Sequence, residues 1–178
     1  LMSLSPTAQA MLLMKFECNK ASKGDAKPHT NVEWGRFALW LKGHKITPAD
    51  LLVPAPQKLL TEWQDTKITL ARIVQLLNRG HSLALAVERW QRAGLWIITR
   101  ADPDYPTRWK THLKTGSPPV LFGCGNKRLL DEGGLAVIGS RNANDEDIFF
   151  TQQIGVKAAN GGVTIVSGGA REIGSAHV

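Results

Sequence analysis

No stretch of this 178-residue sequence approaches the roughly 20 consecutive apolar residues that span a bilayer. The longest apolar runs, such as Leu95 to Ile98 and Leu135 to Ile138, are far shorter, so a transmembrane helix is excluded. The opening Leu1-Met2-Ser3-Leu4-Ser5-Pro6 has no basic region leading into an apolar stretch and a small-residue cleavage site. That absence makes a cytoplasmic location the default expectation. There are only two cysteines, Cys18 and Cys124, far apart and without a neighbouring histidine, which supports neither a zinc site nor a disulfide framework. Both are expected to be small buried side chains. His29, His44, His81, His112 and His177 share no ligand spacing, and no metal or other cofactor is expected.

What is present is enough apolar material, 43% of residues, to bury a core, and an excess of cations. The net charge is +7, which suggests an anionic partner. The excess lies in residues 1–100, which hold 14 Lys/Arg against 7 Asp/Glu, whereas residues 101–178 hold 8 of each. A solvated basic surface is the plain alternative.

Residues 1–94 read as a helical N-terminal module. Ser5-Pro6 offers an N-cap and a first-turn proline ahead of Ala10 to Met14. Thr30 to Glu33 spells a capping box, before a helix that carries Trp34, Phe37, Ala38 and Leu41 on one face and closes at Gly43. Thr47-Pro48-Ala49-Asp50 repeats the capping chemistry. Thr69 opens a helix with Leu70, Ile73, Val74 and Leu77 at helical spacing, ended by Asn78-Arg79-Gly80, and Ser82 starts another that ends at Gly94. Cys18 to His29, with Lys20, Lys23 and Lys27 among small and polar residues, reads as a mobile loop.

Residues 95–178 read differently, as the N-terminal half of an extended Rossmann-like domain. Leu95 to Thr99 and Val120 to Phe122 have strand composition, with Gly123 and Gly125 breaking the second. Gly134 to Gly139 predicts a strand buried on both faces, and a helix from about Asp145 to Ala159 with Asn144 as N-cap follows. Gly161-Gly162 then leads into a strand over Val163 to Val166. Together these make a β-α-β unit with parallel strands and a right-handed crossover. The expected fold class is α/β: a Rossmann-like parallel sheet, expected to be truncated, preceded by a small all-α module.

Two loops leave the carboxyl ends of those strands, where open α/β sheets bind ligands. Gly139, Ser140 and Arg141 form the first; Ser167, Gly168, Gly169, Ala170 and Arg171 form the second. Glycine admits close backbone approach, a serine hydroxyl can donate, and arginine presents a planar fork to phosphate oxygens. The N-terminus of the following helix adds a positive dipole end. Phosphate binding is the expectation, and tight turns without a ligand are the alternative. The dinucleotide fingerprint is absent after Leu135, and no acidic residue caps the second strand, which disfavours NAD.

Four blocks in order carry a resemblance. They are Asp104-Tyr105-Pro106 with Leu113, Pro118-Pro119-Val120-Leu121-Phe122 with Gly125-Asn126, Ala136 to Arg141, and Ser167 to Ala170. The sequence from about Trp96 to His177 resembles the DNA-processing protein A (DprA, Smf) family of recombination mediators. The resemblance implies a cytoplasmic protein that binds single-stranded DNA at these loops and helps load a RecA-type recombinase in DNA uptake by natural transformation or in recombination. Homodimerisation is a further option, and membrane association is not expected. Lys127 and Arg128 are candidate DNA-backbone contacts, with a solvated pair as the alternative. The family's second loop usually continues Ala-x-Gly-Ile-Asp. Here Ala170-Arg171-Glu172-Ile173-Gly174 has Glu at the first glycine and lacks the Asp.

No convincing catalytic constellation is present, so the expectation is a binding protein and not an enzyme. Two alternatives remain open. One is a nucleoside monophosphate phosphoribohydrolase-like enzyme, for which Glu172 is the only nearby carboxylate on the second loop. The other is a sensor of a small phosphorylated ligand.

Overall fold

The first caps sit where local chemistry puts them in the computed structural model, which describes residues 4–18 and 24–168. Helix α1 (Pro6–Lys15) starts at Ser5, whose side chain accepts from the Ala8 amide. Helix α2 (Asn31–Gly43) starts at Thr30 with both halves of the capping box formed, and buries Trp34, Phe37 and Leu41. Thr47 and Asp50 form a second box on the 3-10 turn Pro48–Leu51, and another 3-10 turn spans Pro56–Lys58. Helix α3 (Leu70–Leu77) is capped by Thr69, as expected. Its buried residues are Ile73 and Leu76, however, while Leu70 is exposed, so the inward face lies to one side of the one read from spacing. Helix α4 (Gly80–Arg92) begins two residues before Ser82, without a side-chain cap. Gly94, at φ +76°, ends that helical region in the left-handed conformation glycine supplies.

Strands β1 (Leu95–Thr99) and β2 (Val120–Cys124) pair antiparallel, from Leu95 opposite Cys124 to Thr99 opposite Val120. Between them lie helix α5 (Thr107–Leu113) and a 3-10 turn, Lys114–Gly116. Gly123 does not break β2. It faces Trp96, and a Cβ there would fall 2.1 Å from the indole ring. The ring occupies the space a side chain would take, and its Nε1 donates to the Gly125 carbonyl at 3.0 Å. The strand stops only towards Gly125, which is at φ +79°.

The chain divides into two compact units, Leu1–Gly125 and Asn126–Val178. Pattern and compaction therefore change at different places: β1 and β2 follow the shift in sequence character at Gly94, yet Ile97, Val120 and Phe122 pack with Leu12, Phe37 and Leu76 in the helical core. Arginines tie that core's connections together. Arg72 bonds Glu33 through both terminal nitrogens at 3.0 Å, and donates to the carbonyls of Lys27, Pro28 and Lys67. Arg79 donates to the carbonyls of Leu13 and Phe16 at the end of α1, and Arg89 to that of Cys18. The described part of the connection from Cys18 to His29 is therefore anchored rather than loose: the His29 amide also bonds Met14. Residues 19–23 lie outside the described residues. Of the cysteines, Cys18 is buried as expected, but Cys124, at the end of β2, is exposed.

The second unit contains a 3-10 turn, Lys127–Leu130, then β3 (Leu135–Ala136), α6 (Asp145–Asn160) and β4 (Ile165–Val166). β3 and β4 pair in parallel, Leu135 with Ile165 and Ala136 with Val166, so the β-α-β unit is present. Helix α6 is capped by Asn144 and closes at Gly161-Gly162, with Gly162 at φ +65°. The expectation of a strand buried on both faces is corrected: Leu135 is exposed, Ile138 is 88% exposed, and Val137 alone in that run is buried. Two paired strands have too little neighbouring structure to bury both of their faces.

Candidate functional site

The parallel pairing fixes which way the two loops leave. The Val137 amide donates to the Val166 carbonyl at 3.0 Å, extending the ladder one step beyond β3. The next residues of each strand therefore emerge at the same carboxyl edge: Gly139, Ser140 and Arg141 after the first, Ser167 and Gly168 after the second. Gly139, Ser140 and Arg141 are all exposed, as is Gly168, while Ser167 is half-buried. Gly169, Ala170 and Arg171, and with them Glu172, lie outside the described residues.

Local bonding shapes the first loop. Ser140 Oγ accepts from the Asn142 amide at 3.0 Å, closing a small side-chain turn. The bond uses an oxygen lone pair and leaves the hydroxyl proton able to donate. A cleft of about 390 Å³ adjoins the loop, lined by Gly139, Ser140, Ala143, Asp147, Phe150 and Ile154 among others. Phe150 is 67% exposed, so this cleft has an open aromatic wall.

The contribution expected from the helix dipole is corrected by the residues around it. Asn144 Oδ1 accepts from the Asp147 amide at 2.8 Å, using one of the free donors. The first turn of α6 also holds Asp145, Glu146 and Asp147. Three carboxylates there already complement the positive dipole end and would repel a phosphate placed on the helix axis. An anion at this edge would depend on the Gly139 and Ser140 backbone, the Ser140 hydroxyl and the Arg141 guanidinium. These acids are plain in the sequence and were the available signal.

Lys127 and Arg128 lie on the 3-10 turn ahead of β3, held by Asn126, whose Oδ1 accepts from the Arg128 amide at 3.1 Å. Lys127 is half-buried and Arg128 exposed.

Residues that spacing did not single out hold the start of the segment together. Asp102 accepts from the Thr99 amide at 2.6 Å, from Thr99 Oγ1 at 2.8 Å and from Ser5 Oγ at 3.3 Å. Tyr105, 2% exposed, donates from its hydroxyl to the Pro118 carbonyl at 2.7 Å, and burial pushes its hydroxyl pKa up. Two blocks that read as separate in the sequence, at 104–106 and 118–122, thus meet at one hydrogen bond. Tryptophans of the first unit act as packing groups: the Phe37 and Trp40 rings each meet Trp63 edge-on, and Trp90 meets Phe122 edge-on.

Among the described residues, no helix is long and apolar enough to cross a membrane. Searches of the curated proteins and of the solved structures found no significant match. A family model does match, that of DNA recombination-mediator protein A, over residues 96–177. The match begins within β1, spans the Tyr105–Pro118 contact, and takes in both strand-end loops. Through this segment, a little under half of its length, the chain is similar to the DNA recombination-mediator protein A family.

Proposed function

We propose that this protein binds single-stranded DNA at the carboxyl edge of β3 and β4 and serves recombination by helping a RecA-type recombinase onto the strand, as a binding protein without a covalent step. The observation that carries the reading is the shared edge: two parallel strands deliver Gly139-Ser140-Arg141 and Ser167-Gly168 side by side, inside the segment that matches the family. Gly139 and Ser140 offer close backbone approach and a hydroxyl, and Arg141 adds the charge. Gly169, Ala170 and Arg171 belong to the proposed second contact through their sequence alone, and Lys127 and Arg128 to its approach. A cytoplasmic location fits this role, and pairing of two copies would bring two such edges to one strand.

The test is a salt titration of binding to a labelled oligo-dT. Each phosphate contact to a single strand contributes a slope of about 0.7 in log K against log salt. Arg141→Ala should lower the slope by about that amount, with folding intact by circular dichroism. An unchanged slope removes Arg141 from the interface. A mononucleotide that binds tightly by itself would favour a sensor of small phosphorylated ligands instead.

A further inference from the structure

The first unit carries a cationic surface that the strand-end loops do not use. Arg100 directly follows β1, and its amide donates to the Pro119 carbonyl at 2.9 Å, which fixes it beside the start of β2. Lys110 lies on α5 with its Nζ 5.4 Å from the centre of the Tyr105 ring. Lys114 caps α5 at φ +47°, and its carbonyl accepts from both the amide and the hydroxyl of Ser117, at 3.2 and 2.7 Å. Tyr105 adjoins two of the three and the turn that follows the third. Its ring underlies Lys110, its hydroxyl bonds the residue after Ser117, and it lies within electrostatic reach of Arg100.

Charge at this surface is not balanced locally. From Arg100 to Lys114 the cations Arg100, Arg108, Lys110 and Lys114 outnumber the carboxylates Asp102 and Asp104 by four to two. Helix α5 has no acidic residue and no buried one. Among the described ion pairs, none engages Arg100, Lys110 or Lys114. The three cations come from three separate elements, a strand end, a helix and a turn. A partner with regularly repeated negative charge fits that arrangement.

We infer that Arg100, Lys110 and Lys114, arrayed around Tyr105, form a second contact for the phosphate backbone of a nucleic-acid strand, separate from the Gly139-Ser140-Arg141 loop. The inference rests on the single-stranded DNA reading above. Tyr105 acts here as a positioning residue: it fixes the turn and helix that hold the cations and need not touch the strand.

The experiment uses the full chain and a labelled oligo-dT, with binding followed between about 50 and 200 mM salt. Arg100→Gln, Lys110→Gln and Lys114→Gln combined should lower the salt slope by about 2. The loss of affinity over that salt range would then be about 20-fold smaller than in the parent. Arg100→Lys, Lys110→Arg and Lys114→Arg combined should keep the parental slope. The exposed single variant Lys114→Gln, which disturbs no packing, should lower it by about 0.7. If Arg141→Ala lowers the slope and the glutamine variants leave it unchanged, the second contact is overturned and the loop reading stands. If the glutamine variants lower it and Arg141→Ala does not, the loop reading fails and the second contact stands. A parent that binds no single strand at low salt overturns both.

Discussion

Lowering the pH should destabilise the helical unit through a single buried imidazole, and the size of the effect follows from where His29 sits. The residue is 2% exposed, and neither ring nitrogen has a hydrogen-bond partner among the described residues. Its ring lies edge-on to Phe37 at 5.8 Å and tilted to Trp34 at 6.5 Å. Burial, reinforced by the charge of Arg72, lowers its pKa from 6.5 to about 4. The neutral form is therefore the one that folds. Between those values the unfolded chain binds more protons than the folded one, so stability rises with pH across that window and falls as pH drops through it. Linkage puts the loss at about 2 kcal/mol by pH 5 and about 3 kcal/mol by pH 4, relative to neutral pH. Urea denaturation followed by tryptophan fluorescence reads this directly, because Trp34, Trp40, Trp63, Trp90, Trp96 and Trp109 all lie in the first unit. His29→Leu, which keeps an apolar group in the site, should flatten the dependence between pH 7 and 5. The absolute stability of the variant does not enter, since only its slope with pH is compared. Glu33, whose pKa is lowered from 4.5 to about 2 mainly by its hydrogen bond to Arg72, adds its own loss of stability only as pH falls through its unfolded value, so the comparison is confined to pH 7 to 5. Parallel loss of stability in parent and variant from pH 7 to 5 would refute the argument.

Two substitutions probe the family segment's own packing. Gly123→Ala should destabilise the first unit by about 1–3 kcal/mol through overpacking against the Trp96 ring, measured as a shift in the urea midpoint. Adding Trp96→Ala should recover part of that loss, and strictly additive losses would show that the ring is not the obstacle. Tyr105→Phe removes the hydroxyl that meets the Pro118 carbonyl and should cost about 1–2 kcal/mol by the same measurement; a midpoint equal to the parent's would show that the bond adds nothing.

Local chemistry was the most legible part of the sequence. Ser5, Thr30, Thr47, Thr69 and Asn144 all cap where they were expected to, because a cap is decided by residues three or four apart. The continuation of β2 through Gly123 was not legible, since the group that fills the place of its side chain comes from Trp96 on the other strand. Burial of Leu135 and Ile138 failed for a related reason: apolar composition says that a strand can be covered, not what covers it. The run at β1 announced a strand but not its company, and Ile97 joined the helical core. At the strand-end loops, chain direction and the shared edge could be read in advance from the β-α-β pattern. The acidic first turn of α6 could also be read, and its charge bears on the site more than the spacing of glycines does.

The reach of Arg72 has a consequence for how this unit opens. Its guanidinium joins Lys27, Pro28 and Glu33 to the start of α3 across separations of 39 to 45 residues. Segments linked in this way cannot loosen one at a time without stranding several donors and acceptors together. Amide exchange at Ala26 to Glu33 and at Ile73 to Leu77 should then proceed through a common opening with one free energy, so that a stretch composed like a surface linker is protected as deeply as a core helix.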